Sequence, residues 1–395
     1  MNDRQRFIAT MHYQPRDRSP ICNFGFWPET IDAWHGQGLP DWVRMEPGDG
    51  ISSASTDTFF GIDPWGDYGG KDCPRINCGL CPAFEERVLE DRGDQEVVQQ
   101  SDGVRVLRGK YAGSIPMHLG HLLVDRASWR EHYLPRLTNY DHPARYPNWT
   151  EARAIWNDPD CPFPRVVSGG SLYGWLRNWM GVDNLSYLIY DDPALFEEMV
   201  TTMADLSVET HRRALAQGAR WDVCGIWEDM CYNGGPLLSP AHFRRYLVPQ
   251  YRRMTEQLRR GGCDVIWVDS DGKIDELIAL WLEGGVNGML PLEVGTWRAD
   301  PVAIRQRYGK DLLLMGGFDK RILARSRREI EAEIRRLTPL VEEGGYIGFC
   351  DHLVPPDVPL ENFIFYLQTV RAIWGQGVNL KPMGGPVHLA PAREV

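Results

Sequence analysis

Short apolar runs alternate with amphipathic helical patterns through the second half of the chain. In one example, the apolar run at 265–268 ends abruptly in Asp269, Ser270 and Asp271, and a helical pattern opens after Gly272. A continuous apolar run is typical of a parallel strand buried on both faces, which leaves charged residues where the strand exits the sheet. The pattern therefore predicts a buried strand that delivers two carboxylates into a loop before a helix.

The same pairing of strand and helix recurs along the chain. Strands are predicted at 21–26, 57–60, 165–168, 222–227, 264–271, 286–291, 312–315 and 345–349, with helices between them that include 193–217, 301–308, 327–343 and 359–374. Such alternation is typical of βαβ units with a parallel sheet. About eight strands in a chain of this size favour an α/β fold of the (β/α)8 TIM-barrel type. An open doubly wound sheet is the alternative, although no G-x-G-x-x-G follows the first strand.

Residues 84–110 differ from this rhythm. Short valine- and leucine-containing runs are separated by the turn sequences 92–94 and 101–103, which contain Gly-Asp and Asp-Gly. Asp-Gly accepts the positive φ angles of a tight turn, so the segment predicts an antiparallel β-hairpin insertion. We expect one domain over 1–375 and a glycine- and proline-rich C-terminal tail over 376–395.

Composition excludes several classes of protein. The chain has 395 residues and a net charge of -11, so it lacks the clustered basic residues of a nucleic-acid surface. Its N-terminus has no apolar leader, and no run reaches the length that a membrane span needs. We therefore expect a cytoplasmic protein that binds neither nucleic acid nor a membrane. The 15 tryptophans could in part line a pocket for an apolar or aromatic ligand.

Cysteine usage is modest. Nine cysteines in a chain of this length do not suggest a disulfide framework. Cys73, Cys78 and Cys81 form a C-x4-C-x2-C cluster that could contribute to a zinc or iron–sulfur site. No fourth cysteine lies nearby, which favours plain thiols in a loop.

Polar residues gather at the predicted strand ends. In a (β/α)8 barrel the chemistry lies at the carboxyl ends of the strands, so these side chains should meet at one mouth. The strand-end residues are Trp27, Glu29, Asp57, Gly169, Gly170, Ser171, Glu228, Asp229, Asp269, Asp271, Glu293, Asp319, Lys320, Arg321, Cys350, Asp351 and His352. So many carboxylates repel one another unless a cation, a basic pair or a raised pKa compensates.

Two chemical roles are open for this cluster. Asp269, Asp271 and His352 could bind a divalent metal such as zinc, with a fourth ligand from Cys350 or Glu228. Alternatively, Asp269 or Glu228 is a general acid that its carboxylate neighbours keep protonated. We therefore predict Glu228, Asp269, Asp271 and His352 as catalytic residues, and Asp269, Asp271, Cys350 and His352 as metal ligands.

A second group of residues is predicted to bind the substrate. Lys320 and Arg321 would hold an anionic group, with arginine able to do so bidentately. The full predicted set is Trp27, Asp57, Tyr232, Asp319, Lys320 and Arg321. Simple capping of loops and helices by Asp269, Asp271 and Glu228, and a solvated Lys320-Arg321 pair, are the structural alternatives.

Four motifs in this order resemble the uroporphyrinogen decarboxylase superfamily. They lie at 4–9 with 15–20, at 239–249 (S-P-x-x-F-R-x-Y-x-x-P), at 316–321 (G-G-x-D-K-R) and at 355–362 (P-P-D-V-P-x-E-N). The resemblance covers roughly 1–375 and implies a (β/α)8 barrel. The superfamily contains uroporphyrinogen decarboxylases and corrinoid-dependent methyltransferases.

The resemblance divides over function. True decarboxylases carry an arginine-rich loop after the first strand, whereas residues 23–30 contain no arginine. The methyltransferases hold zinc through a His-x-Cys pair, and the matching positions are Asp269 and Asp271. Hard carboxylates thus replace soft ligands, and could instead protonate a leaving phenolate or alcohol.

These observations predict a methyltransferase that works with a corrinoid protein on a small, aromatic or methoxylated substrate. The alternative is a decarboxylase acting on an acid, with uroporphyrinogen III a less expected substrate. A non-catalytic small-molecule-binding subunit is the second alternative. A homodimer is also expected.

Overall fold

The computed structural model describes residues 1–46, 50–65, 73–110 and 115–384. The chain divides into two compact units. Unit 1 comprises 1–65, 162–164 and 289–395, and unit 2 comprises 66–161 and 165–288. The single domain predicted over 1–375 stays a prediction, and residues 385–395 of the predicted tail lie outside the described residues.

The strands follow the chain in the order β1 (Arg87–Asp91), β2 (Gln95–Gln99), β3 (Arg105–Gly109), β4 (Met117–Gly120), β5 (Val166–Gly170), β6 (Val223–Trp227), β7 (Cys231–Tyr232), β8 (Gly235–Pro236), β9 (Val265–Asp269), β10 (Gly288–Leu292), β11 (Leu313–Gly316) and β12 (Tyr346–Ile347).

The helices are α1 (Asp3–Met11), α2 (Pro28–His35), α3 (Ala54–Phe60), α4 (Arg126–Ser128), α5 (Leu134–Thr138), α6 (Trp149–Asn157), α7 (Gly174–Met180), α8 (Val182–Asp191), α9 (Pro193–Ala216), α10 (Pro240–His242), α11 (Val248–Arg260), α12 (Ile278–Glu283), α13 (Val294–Trp297), α14 (Pro301–Tyr308), α15 (Arg327–Glu343) and α16 (Leu360–Ile373). Single π-helical turns at Trp129–Tyr133 and Phe243–Leu247 lead into α5 and α11.

Unit 2 contains a parallel sheet in the order β5-β6-β9. Every residue of β9 is buried, as its apolar run predicts. Gly225 of β6 is opposite Trp267 of β9, and a Cβ on Gly225 would meet the indole at 2.4 Å. The missing side chain of Gly225 therefore makes room for the fully buried Trp267 ring.

Unit 2 also carries an antiparallel sheet in the order β1-β2-β3-β4. Its small core is formed by Val98, Val104 and Val106, all fully buried. The antiparallel insertion predicted near 84–110 is confirmed, and β4 extends it to Gly120.

In unit 1, β11 pairs in parallel with β12 and lies next to β10. The segment predicted as the first strand, 21–26, is buried, and among the described residues its only β-pairing is a bridge between Phe26 and Val354. The strand predicted at 57–60 is wrong, because this segment belongs to helix α3. Asp57 consequently lies within a helix and not at a strand end.

The predicted fold class, an α/β protein of the (β/α)8 type with an antiparallel insertion, is confirmed by the parallel strands and their following helices. None of the helices in the described ranges combines the length and apolar character needed to cross a membrane. Location in the cytoplasm stays a prediction.

Candidate active site

In unit 2 the loops that follow β6 and β9 are tied together. The backbone N–H groups of Glu228 and Asp229 both donate to the carbonyl oxygen of Asp269, at 2.8 and 3.2 Å. In return, the N–H of Asp271 donates to Oδ1 of Asp229 at 3.0 Å. These bonds hold two neighbouring strand ends, with all their carboxylates, in one fixed arrangement.

Backbone geometry fixes the same loops. Gly272 has a φ of +84°, and a Cβ there would lie 2.5 Å from the carbonyl oxygen of Cys231. Asp229 adopts a φ of 45°, which is uncommon for a residue with a side chain. The glycine that follows the two aspartates is thus required by a close approach of two backbone segments.

Asp269 and Asp271 occupy the strand end that the sequence predicts for them. Asp269 is 6% exposed and Asp271 is half-buried. Asp269 is also the parallel register partner of Trp227, so both side chains emerge on the same face of the sheet. The structure therefore places a carboxylate beside an indole at adjoining strand ends, and the catalytic role of Asp269 and Asp271 stays a prediction.

Glu228 is fully buried, and its carboxylate accepts five hydrogen bonds. The donors are the N–H groups of Leu172 (2.8 Å), Tyr173 (2.8 Å) and Gly174 (2.9 Å), the Ser171 hydroxyl (3.1 Å) and the Tyr251 hydroxyl (2.6 Å). Burial raises the pKa of Glu228, and these hydrogen bonds oppose part of that rise. With these acceptor sites occupied, Glu228 fixes the start of α7, and its predicted acid–base role stays a prediction.

Tyr232 follows in the short strand β7. Its side chain is 59% exposed, and its carbonyl oxygen accepts the N–H of Lys273 at 2.8 Å. Nearby, the Arg177 guanidinium lies 3.6 Å from the Asp229 carboxylate and 5.5 Å from the ring centroid of Trp227. Tyr232 is thus available to a ligand, and its substrate-binding role stays a prediction.

In unit 1 the Asp319-Lys320-Arg321 sequence follows β11. Nε and Nη2 of Arg321 each lie 2.8 Å from the Asp319 carboxylate. Burial opposes ionisation of Asp319, but the hydrogen bonds from Arg321 prevail and lower its pKa. The guanidinium edge predicted to hold a substrate anion is therefore engaged by Asp319, whereas Lys320 forms no ion pair within the described ranges.

Asp351 is a buried carboxylate that the sequence analysis placed at a strand end without assigning it a role. It accepts the N–H groups of Gly295 at 2.9 Å and Lys320 at 3.1 Å, and burial raises its pKa. It is also close enough to the Lys320 charge for that charge to oppose the rise. A further acid–base candidate thus lies between Cys350 and His352, which were both selected.

His352 lies beside aromatic rings of the N-terminal segment. Its ring centroid is 5.3 Å from that of Phe24 and 6.3 Å from that of Trp27. Trp27 therefore lies near His352, as a shared strand-end position requires. Cys350 is fully buried and bridges to Phe318.

The four predicted metal ligands are divided between the units, with Asp269 and Asp271 in unit 2 and Cys350 and His352 in unit 1. Carboxylate, imidazole and thiol are ligand types that fit a divalent ion such as zinc. A metal site at these residues stays a prediction.

The C-x4-C-x2-C cluster has other contacts. Sγ of Cys78 lies 3.4 Å from the Thr210 hydroxyl, whereas Sγ of Cys81 lies 3.1 Å from Nδ1 of His142. Two of the three thiols thus have different partners, which agrees with the interpretation of plain thiols.

The family model described as uroporphyrinogen decarboxylase (URO-D) matches residues 177–373. The chain belongs to the uroporphyrinogen decarboxylase superfamily. Among curated relatives, the uroporphyrinogen decarboxylase of Syntrophotalea carbinolica is 28% identical over 192 residues, and that of Pelobacter propionicus is 26% identical over 191. These matches cover 48% and 47% of this chain and 52% of each relative, so the chain spans about half the length of the curated relatives it matches.

A solved structure resembles nearly the whole chain. It is a methyltransferase from Methanosarcina mazei, with a TM-score of 0.56 and 15% sequence identity, covering 94% of this chain and 98% of that one. At this identity the likeness concerns the fold alone.

Sequence reasoning missed Tyr251, a side-chain donor to Glu228. It placed Ser171, the other side-chain donor, and Asp351 at strand ends but assigned neither of them a role. Tyr251 is 23 residues and Ser171 is 57 residues from Glu228 in sequence. No local pattern marks such contacts. The signal that could have marked Asp351 as a functional residue was its position between Cys350 and His352, which both received predicted roles.

Proposed function

We propose that the chain is a methyltransferase that moves a methyl group from a small methoxylated aromatic substrate to a corrinoid carried by a partner protein. The observation that carries the proposal is the register pair of Trp227 and Asp269, which sets an indole and a carboxylate on one face at adjoining strand ends. An aromatic methyl ether needs both, since its ring stacks on an aromatic side chain and its departing oxygen needs a proton.

The proposed chemistry divides simply between the chain and the corrinoid. A reduced corrinoid, when bound, would supply the nucleophile that accepts the methyl group. As the carbon–oxygen bond breaks, its electron pair stays on the phenolic oxygen, and Asp269 in its acid form would donate a proton there. Asp271, in the same fixed loop, would then transfer a proton from water back to Asp269.

Two further observations support methyl transfer over uroporphyrinogen decarboxylation. The solved structure that resembles most of the chain is named a methyltransferase. In addition, residues 23–30 contain no arginine and offer Phe24 and Trp27 instead. A tetrapyrrole with many carboxylates would find no counter-charge in that segment.

Decarboxylation of a smaller acid is the second candidate. Lys320 forms no ion pair within the described ranges and lies beside the buried Asp351. A substrate carboxylate could pair with its ammonium group. The curated relatives, which are named uroporphyrinogen decarboxylases, agree with this chemistry.

The test compares the wild type with Asp269→Asn, using a methoxylated phenol and chemically reduced cobalamin as the acceptor. Methylcobalamin is followed by its visible spectrum and the demethylated phenol by chromatography. We expect the loss of a general acid to lower kcat by about 100-fold or more. Asp264→Asn, an exposed aspartate directly before the same strand, is the matched control and should retain the wild-type rate.

Three outcomes would contradict the proposal. An unchanged rate in Asp269→Asn would show that Asp269 is not the proton donor. Release of carbon dioxide from small aromatic acids without methyl transfer would favour the decarboxylase. Saturable binding with neither reaction would favour a binding subunit.

A further inference from the structure

Unit 2 contains an open cavity of about 330 Å³ beside the antiparallel sheet. Its volume falls at the lower end of the range typical of small-molecule sites. The lining residues are Gly79, Leu80, Ala83, Ser101, Asp102, Trp175, Asn178, Trp179 and Trp227. Three indoles on so small a cavity suit a flat ring.

One wall is a single face of α7. Trp175, Asn178 and Trp179 are spaced i, i+3 and i+4, which places them on the same side of a helix. The two indoles lie with centroids 6.1 Å apart and planes inclined by 28°. The buried Glu228 fixes the first turn of this helix, so the aromatic wall is positioned before a ligand arrives.

The facing wall is the turn that carries Asp102. The Tyr133 hydroxyl donates to the carbonyl oxygen of Asp102 at 2.9 Å, and the N–H of Val104 donates to Oδ1 at 3.0 Å. The turn is therefore fixed. Oδ2 of Asp102 remains able to accept a hydrogen bond from a ligand.

Asn178 adds a donor to this acceptor. Its Oδ1 accepts Nη2 of Arg177 at 3.2 Å, which orients the side-chain amide and leaves its NH2 group to donate. A ligand that presents a hydroxyl and an ether oxygen on adjacent ring atoms matches this pair. The hydroxyl would donate to Asp102 and the ether oxygen would accept from Asn178.

Charge selects among such ligands. Asp102 is the only charged side chain among the lining residues of the described ranges, so an anionic ring meets its repulsion, while the nearby Arg177 guanidinium is already paired with Asp229. A quaternary ammonium group is disfavoured for a different reason, because the Arg177 guanidinium already lies over the Trp227 ring and the quaternary nitrogen has no lone pair to accept a hydrogen bond from Asn178.

We propose that this cavity binds the ring of a neutral methoxyphenol, and that it discriminates against methoxylated aromatic acids. Trp227 lines the cavity and is the register partner of Asp269, which is not itself a lining residue. The assignment rests on the proposed methyl transfer and names its class of substrate.

Isothermal calorimetry on the full chain without corrinoid tests the proposal, with 2-methoxyphenol as the probe. Its comparison compounds are 4-hydroxy-3-methoxybenzoate, 2-methoxycyclohexanol and choline. We expect 2-methoxyphenol to bind at least tenfold more tightly than any of them. Trp175→Leu should weaken its binding about tenfold, whereas Trp42→Leu, at an exposed position in unit 1, should not.

Asp102→Asn should weaken 2-methoxyphenol binding and strengthen that of the benzoate, because the repelling charge is gone. Asp94→Asn makes the same change at an exposed turn of the same sheet and should alter neither. Circular dichroism of each variant confirms that the fold persists. Equal binding of 2-methoxycyclohexanol, tighter binding of choline, or insensitivity to both Trp175→Leu and Asp102→Asn would overturn the assignment.

The two proposals fail separately. Methyl transfer with a KM unaffected by Trp175→Leu would reject the cavity as the substrate site and retain the proposed reaction. Binding that follows the expected pattern without any methyl transfer would retain the cavity assignment and reject the proposed reaction.

Discussion

Two buried carboxylates at strand ends, Glu228 in unit 2 and Asp351 in unit 1, differ in how many hydrogen bonds compensate their burial. Both are fully buried, and burial raises the pKa of both. Glu228 accepts five hydrogen bonds, three of them from consecutive backbone N–H groups of 172–174. Within the part of the chain that the structure describes, Asp351 accepts two, from the N–H groups of Gly295 and Lys320.

The number of accepted hydrogen bonds distinguishes a carboxylate that stabilises the fold from one that can act on a substrate. A carboxylate whose lone pairs are all engaged exchanges protons poorly and instead orders the backbone that surrounds it. A carboxylate with spare acceptor capacity beside a lysine is better suited to act on a substrate. Sequence reasoning assigned a catalytic role to Glu228 and none to Asp351, although both appear in the sequence as an acid after an apolar run, so the sequence could not tell the two apart.

The largest expected effect is on stability. Glu228→Gln presents an amide NH2 to groups that are themselves donors, so buried N–H groups lose their acceptor, at about 3 kcal/mol of unfolding free energy. Asp351→Asn disturbs fewer bonds and should cost about 1 kcal/mol. Urea unfolding followed by circular dichroism measures both. Equal losses would show that the number of donors does not distinguish the two sites.

A smaller effect is expected from the hydroxyl that bonds to Glu228. Tyr251→Phe removes a 2.6 Å hydrogen bond to the carboxylate and should cost about 1.5 kcal/mol. Tyr173→Phe is the matched control, since its buried hydroxyl has no hydrogen-bond partner within the described ranges. That variant should be neutral or slightly stabilising in the same unfolding assay. A costly Tyr173→Phe would refute this account of the donors.

The smallest effect is a slope with pH. A carboxyl whose pKa is higher in the folded protein than in the unfolded chain binds more protons when folded, so stability falls as pH rises above the ordinary value of 4.5 for glutamate. Glu228→Gln and Asp351→Asn should each flatten this slope, by less than about 1.4 kcal/mol per pH unit. The free energy of unfolding, measured at a series of pH values from 4.5, the ordinary pKa of glutamate, to neutrality, provides the check. A slope that both variants leave unchanged would mean that neither group titrates there.

Much of the fold could be predicted from local patterns. Helix α15 has the predicted bounds 327–343, because a charged amphipathic segment follows a capping box of Ser326 and Glu329. Helix α3 was missed because its short apolar end at Phe59 and Phe60 suits a strand equally well. The overlooked signal was the capping box of Ser53 and Thr56.

The site was less predictable than the fold. Asp269 and Asp271 could be located because their position depends on one strand and its exit. The role of Glu228 could not, because it depends on groups 23 to 57 residues away in sequence. The position of a residue along a strand follows from the local sequence pattern, whereas the number of hydrogen bonds that a carboxylate accepts depends on tertiary packing.

The antiparallel insertion has a consequence for how this protein could diversify. Its Val98, Val104 and Val106 core belongs to the sheet itself, yet its 101–103 turn supplies one wall of the cavity. If the proposed assignments hold, substitutions in that turn would alter ligand preference while leaving the strand that ends at Asp269 unchanged. Substrate specificity and the proposed catalytic residues could then be engineered separately within one chain.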